Sequence, residues 1–267
     1  MTLRLAERLI PAVMQAGKRI EEVRRDGFAV RQKPASGNAP RSPVTDADEE
    51  AEALLTAAIR AIEPDAAIVG EEASAAGHQP APGARFWLVD ALDGTKDYVR
   101  GGSDYSVNIG LIVSAVPVLG LVLHPPTATL WVGVAGEGAF CERPGSARTA
   151  IHGRAVAAPP RAVTSRSHLD PRTTAWLAAI PGVEVRPSGS SLKFCLLAEG
   201  GADLYPRFGP TSEWDTAAAD AVLRAAGGMT LGVDGTPYRY GKEGYRNGPF
   251  LALGDPEAAG LLPRFAG

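Results

Sequence analysis

Trp87-Leu88-Val89-Asp90-Ala91-Leu92-Asp93-Gly94-Thr95-Lys96 sets a strand-forming apolar run directly against two carboxylates and a glycine turn. Phe86 to Val89 has the residue types of a buried pleated segment, and buried strands do not ordinarily end on paired acids. The spacing predicts Asp90 at the strand end and Asp93 one turn further on, both facing a common point. Gly94 and Thr95 then open a short helix through Lys96 to Val99, whose first backbone N–H groups suit a phosphate. Two carboxylates about 5 Å apart repel by roughly 3 kcal/mol at an effective dielectric of about 20. A bound cation resolves that conflict. All-oxygen ligation favours a hard ion, and magnesium suits a few carboxylates completed by waters and a phosphate. The plainer alternative is a DG turn capped by aspartates.

Acids recur at other element ends. Gly70-Glu71-Glu72 follows the apolar run Ala67-Ile68-Val69, and Glu213-Trp214-Asp215-Thr216-Ala217-Ala218 places Asp215 at or near a helix start. Each alone reads as a solvated turn or an ordinary N-cap; their repetition points to one carboxylate cluster assembled from distant segments. His78, His124, His152 and His168 lack ligand spacing. Cys141 and Cys195 lie in apolar contexts and read as buried free thiols of a reducing compartment. No Walker loop, GxGxxG fingerprint or G-x-S-x-G elbow is present.

Working outward, Thr2 to Asp26 has helical periodicity, with Pro11 as a point of bending, and not the apolar block of a secretory signal. Lys33 to Pro43 reads as a mobile loop. Thr45 and Asp48 form a capping box ahead of Leu54, Leu55, Ala58, Ile59 and Ile62. Strands are predicted over Val107 to Val113, Val118 to Leu123 and Leu130 to Val134. Past these come a strand at Ala162 to Ser165 and a helix at Thr173 to Ala179. Ser190 or Ser191 then caps a helix over Leu192 to Glu199, a strand covers Leu204 to Phe208, and a helix runs from about Trp214 to Ala226. The pattern is α+β grading into α/β, a single catalytic domain of two packed lobes, about 1–158 and 159–267.

The 267 residues carry a formal net charge of -3, with 45% hydrophobic and 21% charged residues. That is an ordinary globular composition long enough for a substantial core. It offers no basic stripe for a nucleic-acid polymer, and no apolar run approaches the roughly 20 residues of a bilayer span. The expected location is the cytoplasm, with loose attachment to the inner face of a membrane left open, as is the oligomeric state.

These motifs together resemble the inositol monophosphatase superfamily, whose metal signature is an apolar strand followed by D-P-[IL]-D-G-T, with G-E-E upstream and W-D-x-A-A downstream. Ser42-Pro43-Val44-Thr45, Phe86 to Lys96, Thr164-Ser165-Arg166-Ser167-His168 and Ser188 to Ala218 are most similar to its bacterial 3'(2'),5'-bisphosphate nucleotidases of the CysQ type. The resemblance implies alternating layers of helices and sheets. It also implies two or three magnesium ions held by Glu71, Asp90, Asp93, Asp215 and the Leu92 carbonyl. Glu71 counts among the catalytic residues too, and Thr95 and Asp48 form the pair that helps activate a water. Asp48 thereby acquires a role competing with its cap.

The implied substrate is a small phosphate ester, adenosine 3',5'-bisphosphate, a by-product of sulfur assimilation, cleaved to AMP and phosphate by a lithium-sensitive enzyme. It would contact Leu92, Asp93, Gly94, Thr95, Lys96, Ser190, Ser191, Lys193 and Asp215. Its uncleaved phosphate asks for cations, first Lys193 and Lys96, then Arg166 and Arg207. Tyr205 and Phe208 read first as core packing, with stacking on adenine as their alternative. A sibling inositol or sugar phosphatase shares the metal chemistry, whereas a catalytically silent metal or nucleotide binder would have lost a ligand. Two positions depart from the signature: Ala91 replaces proline, and Ala219 replaces a glycine on a helix beside the pocket.

Overall fold

The computed structural model describes residues 2–33, 42–166 and 169–265. Helix α1 (Thr2–Asp26) runs through Pro11 and buries Ala6, Leu9, Val13, Ala16, Ile20 and Val23, a stripe at three- and four-residue spacing. Strands β1 (Arg31–Gln32) and β2 (Pro43–Val44) pair antiparallel, so Pro43 belongs to a ribbon and Lys33, also read as loop, is 7% exposed. The middle of that predicted loop, 34–41, lies outside the described residues, as do Ser167 and His168. Helix α2 (Asp46–Ile62) starts at the Thr45/Asp48 capping box.

Next come β3 (Ile68–Gly70), α3 (Glu71–Ala75), β4 (Arg85–Asp93), α4 (Thr95–Val99), β5 (Ser106–Val113), β6 (Val116–His124), β7 (Thr129–Val134), β8 (Gly138–Glu142) and β9 (Thr149–Ile151). The seven strands β3 to β9 form one sheet in sequence order. β3 and β4 are parallel and the remaining pairs antiparallel. A second sheet combines β10 (Arg161–Ser165), β11 (Glu184–Ser188), β12 (Leu204–Arg207), β14 (Met229–Gly232) and β16 (Phe250–Leu253) in the order β11-β10-β12-β16-β14. Between them in sequence lie α5 (Pro171–Ala178), α6 (Leu192–Ala198), α7 (Ala217–Ala225) and the two-stranded ribbon of β13 (Thr211–Ser212) with β15 (Arg246–Asn247).

The large sheet is covered on both faces. Val107, Ile109 and Leu111 pack with α1 and α2 in one core, while Ile112 and Val122 join α6, α7 and the inner face of the second sheet in another. A third core places α5 and Phe265 on the outer face of that second sheet. Helices and sheets therefore alternate in layers, as expected.

A row of glycines fixes how closely α7 seats. Gly110, Gly120 and Gly133 are cross-strand partners on β5, β6 and β7. A Cβ on Gly120 would lie 1.9 Å from the Ala218 carbonyl oxygen, and one on Gly133 would lie 2.4 Å from Val222 Cα. Without side chains there, the backbone of α7 rests directly on the sheet, and the turn preceding it is brought over the end of β4.

Candidate active site

β4 extends further than its apolar run predicts. Ala91 and Leu92 are 2% exposed and stay in the sheet, and the pairing with β5 shifts register between Asp90 and Asp93. Asp90 therefore sits inside the strand, not at its end: it is buried in a group with Glu71 and Asp215, while Asp93, past the irregularity, lines the cleft. Ala91, the departure from proline, fills an ordinary strand position. Gly94 follows with φ of 101°, and a Cβ there would meet the Asp104 carbonyl oxygen at 2.6 Å; the residue must be glycine for α4 to begin at Thr95.

β3 runs parallel to β4 and delivers Glu71 as the first residue of α3. Asp215 stands in the turn before α7, two residues ahead of its first helical residue, and its Oδ2 accepts from the Ser212 backbone N–H at 2.8 Å. It is held by β13 and is not the cap of α7. Carboxylate oxygens of Glu71, Asp90 and Asp215 lie within 4.8 Å of one another. Asp93 lines the same cleft of about 370 Å³ with Glu71, Leu92, Thr95, Lys96, Ser190, Lys193, Arg207, Arg246 and Asp215.

The electrostatics of this cluster are unfavourable for protein alone. Asp90 is pushed well above the usual carboxylate range, first by burial and then by Glu71, Asp93 and Asp215. Burial, with Asp93 and Glu71 behind it, lifts Asp215 to about 8. Asp93 is lifted to about 6, burial again leading, with Lys193 opposing. Asp90 Oδ2 is buried with no hydrogen-bond partner among the described residues, a costly state for a carboxylate oxygen. All-oxygen donors, crowded negative charge and an unsatisfied buried oxygen fit a hard divalent cation.

A buried cation partly offsets the cluster from one side. Lys33 pairs with Glu71 and, at 2.6 Å, with Glu72. Burial works against its charge, yet the two glutamates hold its pKa above the usual lysine value. Glu72 does not enter the cleft. Glu52 accepts from the backbone N–H groups of Glu72 and Ala73, both at 2.8 Å, and so pins the start of α3.

Asp48 keeps its capping role and gains a second one. Its Oδ2 accepts from Thr45 N and Thr45 Oγ1, each at 2.7 Å, while its Oδ1 accepts from Thr95 Oγ1 at 2.8 Å. Thr95 Oγ1 also lies 3.0 Å from the Leu92 carbonyl oxygen. Burial raises the Asp48 pKa despite the hydrogen bonds from Thr45 and Thr95.

The opposite wall comes from α6 and its neighbours. Ser191 caps α6 by position only; its hydroxyl is engaged with Asn108 at 2.6 Å and Ser106 at 2.9 Å. Ser190 lines the cleft with φ of 45° and takes Lys193 Nζ on its carbonyl oxygen. Burial lowers Lys193 to about 8, with Asp93 opposing. Tyr205 lines the cleft but is packed edge-on against Phe194 and Phe250. Phe208 lies against Phe265 at 4.4 Å and has left the cleft altogether. Lys33, Asp104 and Arg246 were not legible as site residues. Lys33 fell in an apparent loop, and the other two belong to no local motif.

A model of the inositol monophosphatase family matches residues 4–261. Among curated proteins, the 3'(2'),5'-bisphosphate nucleotidase CysQ of Salmonella typhimurium is 44% identical over 70% of this chain and 74% of its own length. CysQ of Escherichia coli K12 is 41% identical over 76% and 81%. Among solved structures, CysQ from Bacteroides thetaiotaomicron, described as a bacterial member of the family, superposes with a TM-score of 0.76. It is 33% identical, over 94% of this chain and 97% of that one. The chain belongs to the inositol monophosphatase family, which is metal-dependent. The two curated relatives, similar over most of its length, are 3'(2'),5'-bisphosphate nucleotidases.

Proposed function

We propose that this protein is a magnesium-dependent 3'(2'),5'-bisphosphate nucleotidase that hydrolyses the 3'-phosphate of adenosine 3',5'-bisphosphate, leaving AMP and phosphate. The observation that carries the reading is the convergence of Glu71, Asp90 and Asp215 within 4.8 Å around an unsatisfied Asp90 oxygen. Glu71, Asp90, Asp93, Asp215 and the Leu92 carbonyl would hold two or three ions. When bound, magnesium supplies positive charge to the phosphate oxygens and acidifies a water.

The remaining work belongs to the chain. Thr95 Oγ1 has a single hydrogen to donate; donated to Asp48 Oδ1 at 2.8 Å, the shorter of its two acceptor contacts, it leaves a lone pair of Thr95 to accept a hydrogen bond from the attacking water. Burial raises the Asp48 pKa, which makes this carboxylate a stronger base than a solvated aspartate. Gly94, Thr95 and Lys96 line the cleft and would border the cleaved phosphate, while Lys193 brings a buried positive charge to the cleft. Displacement by water needs no covalent enzyme intermediate, and positioning with electrostatics supplies most of the rate.

The test is phosphate release from adenosine 3',5'-bisphosphate beside inositol 1-phosphate at matched concentration, with magnesium or with chelator. Preference for the nucleotide that vanishes with chelator is the expected result. Preference for inositol phosphate would move the function to the sibling activity, and no release from either would contradict the phosphatase reading.

A further inference from the structure

We infer that Arg246 is a specificity-determining residue that binds the second, uncleaved anionic group of the substrate; this rests on the bisphosphate reading above. The other arginines and the buried lysine of the cleft are already engaged. Lys193 Nζ donates to the Ser190 carbonyl, and Arg207 donates to the carbonyls of Gly209 and Pro210, each at 3.2 Å. Arg166 is paired with Asp104 at 2.9 Å, a carboxylate that also takes the Gly189 N–H at 2.6 Å. Arg246 lines the cleft with an exposed side chain, and its Nη1 donates to the Ser212 hydroxyl at 3.1 Å. Among the described residues it has no carboxylate partner, and four of its five guanidinium N–H donors remain.

The backbone on either side is built to hold that side chain. Tyr245 is 1% exposed and adopts φ of 53°, a left-handed conformation that costs a non-glycine residue. Its hydroxyl donates to the Pro80 carbonyl at 2.8 Å, and its own carbonyl accepts from Glu213 N at 2.8 Å. On the other side Asn247 Nδ2 reaches Thr211 Oγ1, Ser212 O and Thr216 Oγ1 between 2.7 and 3.0 Å. The anchoring has a direction. Ser212 holds Arg246 by its hydroxyl and Asp215 by its backbone N–H, so the guanidinium is fixed beside the acidic cluster but outside it. A phosphate being cleaved among the carboxylates leaves this fork for a different anion of the same molecule, and a planar fork suits a phosphate oxygen pair.

Steady-state kinetics on adenosine 3',5'-bisphosphate and on adenosine 3'-monophosphate, at saturating magnesium, test the assignment with wild type, Arg246→Ala and Arg246→Lys. Arg246→Ala is expected to raise KM for the bisphosphate on the order of 10- to 100-fold. Its kcat should change little, so that the preference for bisphosphate over monophosphate collapses by the same factor. Arg246→Lys, which keeps the charge and loses the fork, should recover part of that preference. An undiminished preference in Arg246→Ala, or equal losses on both substrates, would overturn the assignment while leaving the nucleotide reading in place. A wild type without preference for the bisphosphate would overturn both.

Discussion

Thr95 Oγ1 stands 2.8 Å from Asp48 Oδ1 while the other oxygen of the same carboxylate closes the N-terminus of α2 on Thr45. One side chain thus ties a helix start to the residue proposed to orient water. Asp48→Asn should lower kcat by about 10²- to 10⁴-fold, the usual range for a lost acid–base partner. It should also weaken the cap by about 1 kcal/mol. Thr95→Ala should match the first effect without the second. Kinetics beside thermal melts separate them, and equal stability losses in both variants would contradict the division.

Among the described residues, Asp90 carries the one carboxylate oxygen that is buried without a hydrogen-bond partner, and it lies among acids. Asp90→Asn removes one negative charge from the cluster and provides N–H donors to its neighbours. The variant should lose turnover nearly completely, yet melt higher than wild type when both are stripped with chelator. A variant less stable than stripped wild type would show that Asp90 is structural first.

Protons and metal compete for the same carboxylates. Asp93 is lifted to about 6 and Asp215 to about 8, against about 3.9 for an unfolded aspartate. The folded chain therefore binds more protons than the unfolded chain between these limits. The stability these groups contribute is present below about pH 4 and lost as pH rises through 6 to 8. In chelator, the melting temperature should fall across that window. The increment restored by magnesium should grow with pH by several degrees, at roughly 2–4 °C per kcal/mol for a chain of this size. Melting curves at pH 5.5 and 8.5 with and without magnesium decide this; an increment that shrinks with pH would contradict it.

The glycine row under α7 links packing to the site. Gly120→Ala places a methyl group 1.9 Å from the Ala218 carbonyl oxygen, so helix and sheet must part. Overpacking of this kind costs about 1–3 kcal/mol. Because the turn bearing Asp215 leads into α7, turnover should drop as well. A melt and a kcat measurement suffice, and unchanged kcat in a destabilised variant would show that the Asp215 turn is held by β13 alone.

What the chain discloses before folding follows the range of its interactions. Asp90, Asp93, Glu71 and Asp215 were legible because each follows an apolar run or precedes a helical one, a local pattern. The strand bounds around Asp90 were not, since Ala91 and Leu92 look like a turn until β5 pairs with them across the register shift. The layered architecture was legible from alternating elements, but the seat of α7 depends on three glycines that only cross-strand pairing aligns. Lys33 and Arg246 lay beyond local reading. Pairing of β1 with β2 precedes the first, and pairing of β13 with β15 places the second. Phe208 packs on Phe265, the core role its context favours over stacking on adenine.

The central claim is that the crowded carboxylates are a metal centre on which turnover depends. Calorimetric titration of chelator-stripped protein with magnesium, beside phosphate release from adenosine 3',5'-bisphosphate over the same concentrations, addresses it most directly. Turnover should rise with the occupancy of the site, and Asp90→Asn should lose both the binding heat and the activity. Full turnover in stripped protein, or wild-type magnesium binding in Asp90→Asn, would contradict the account.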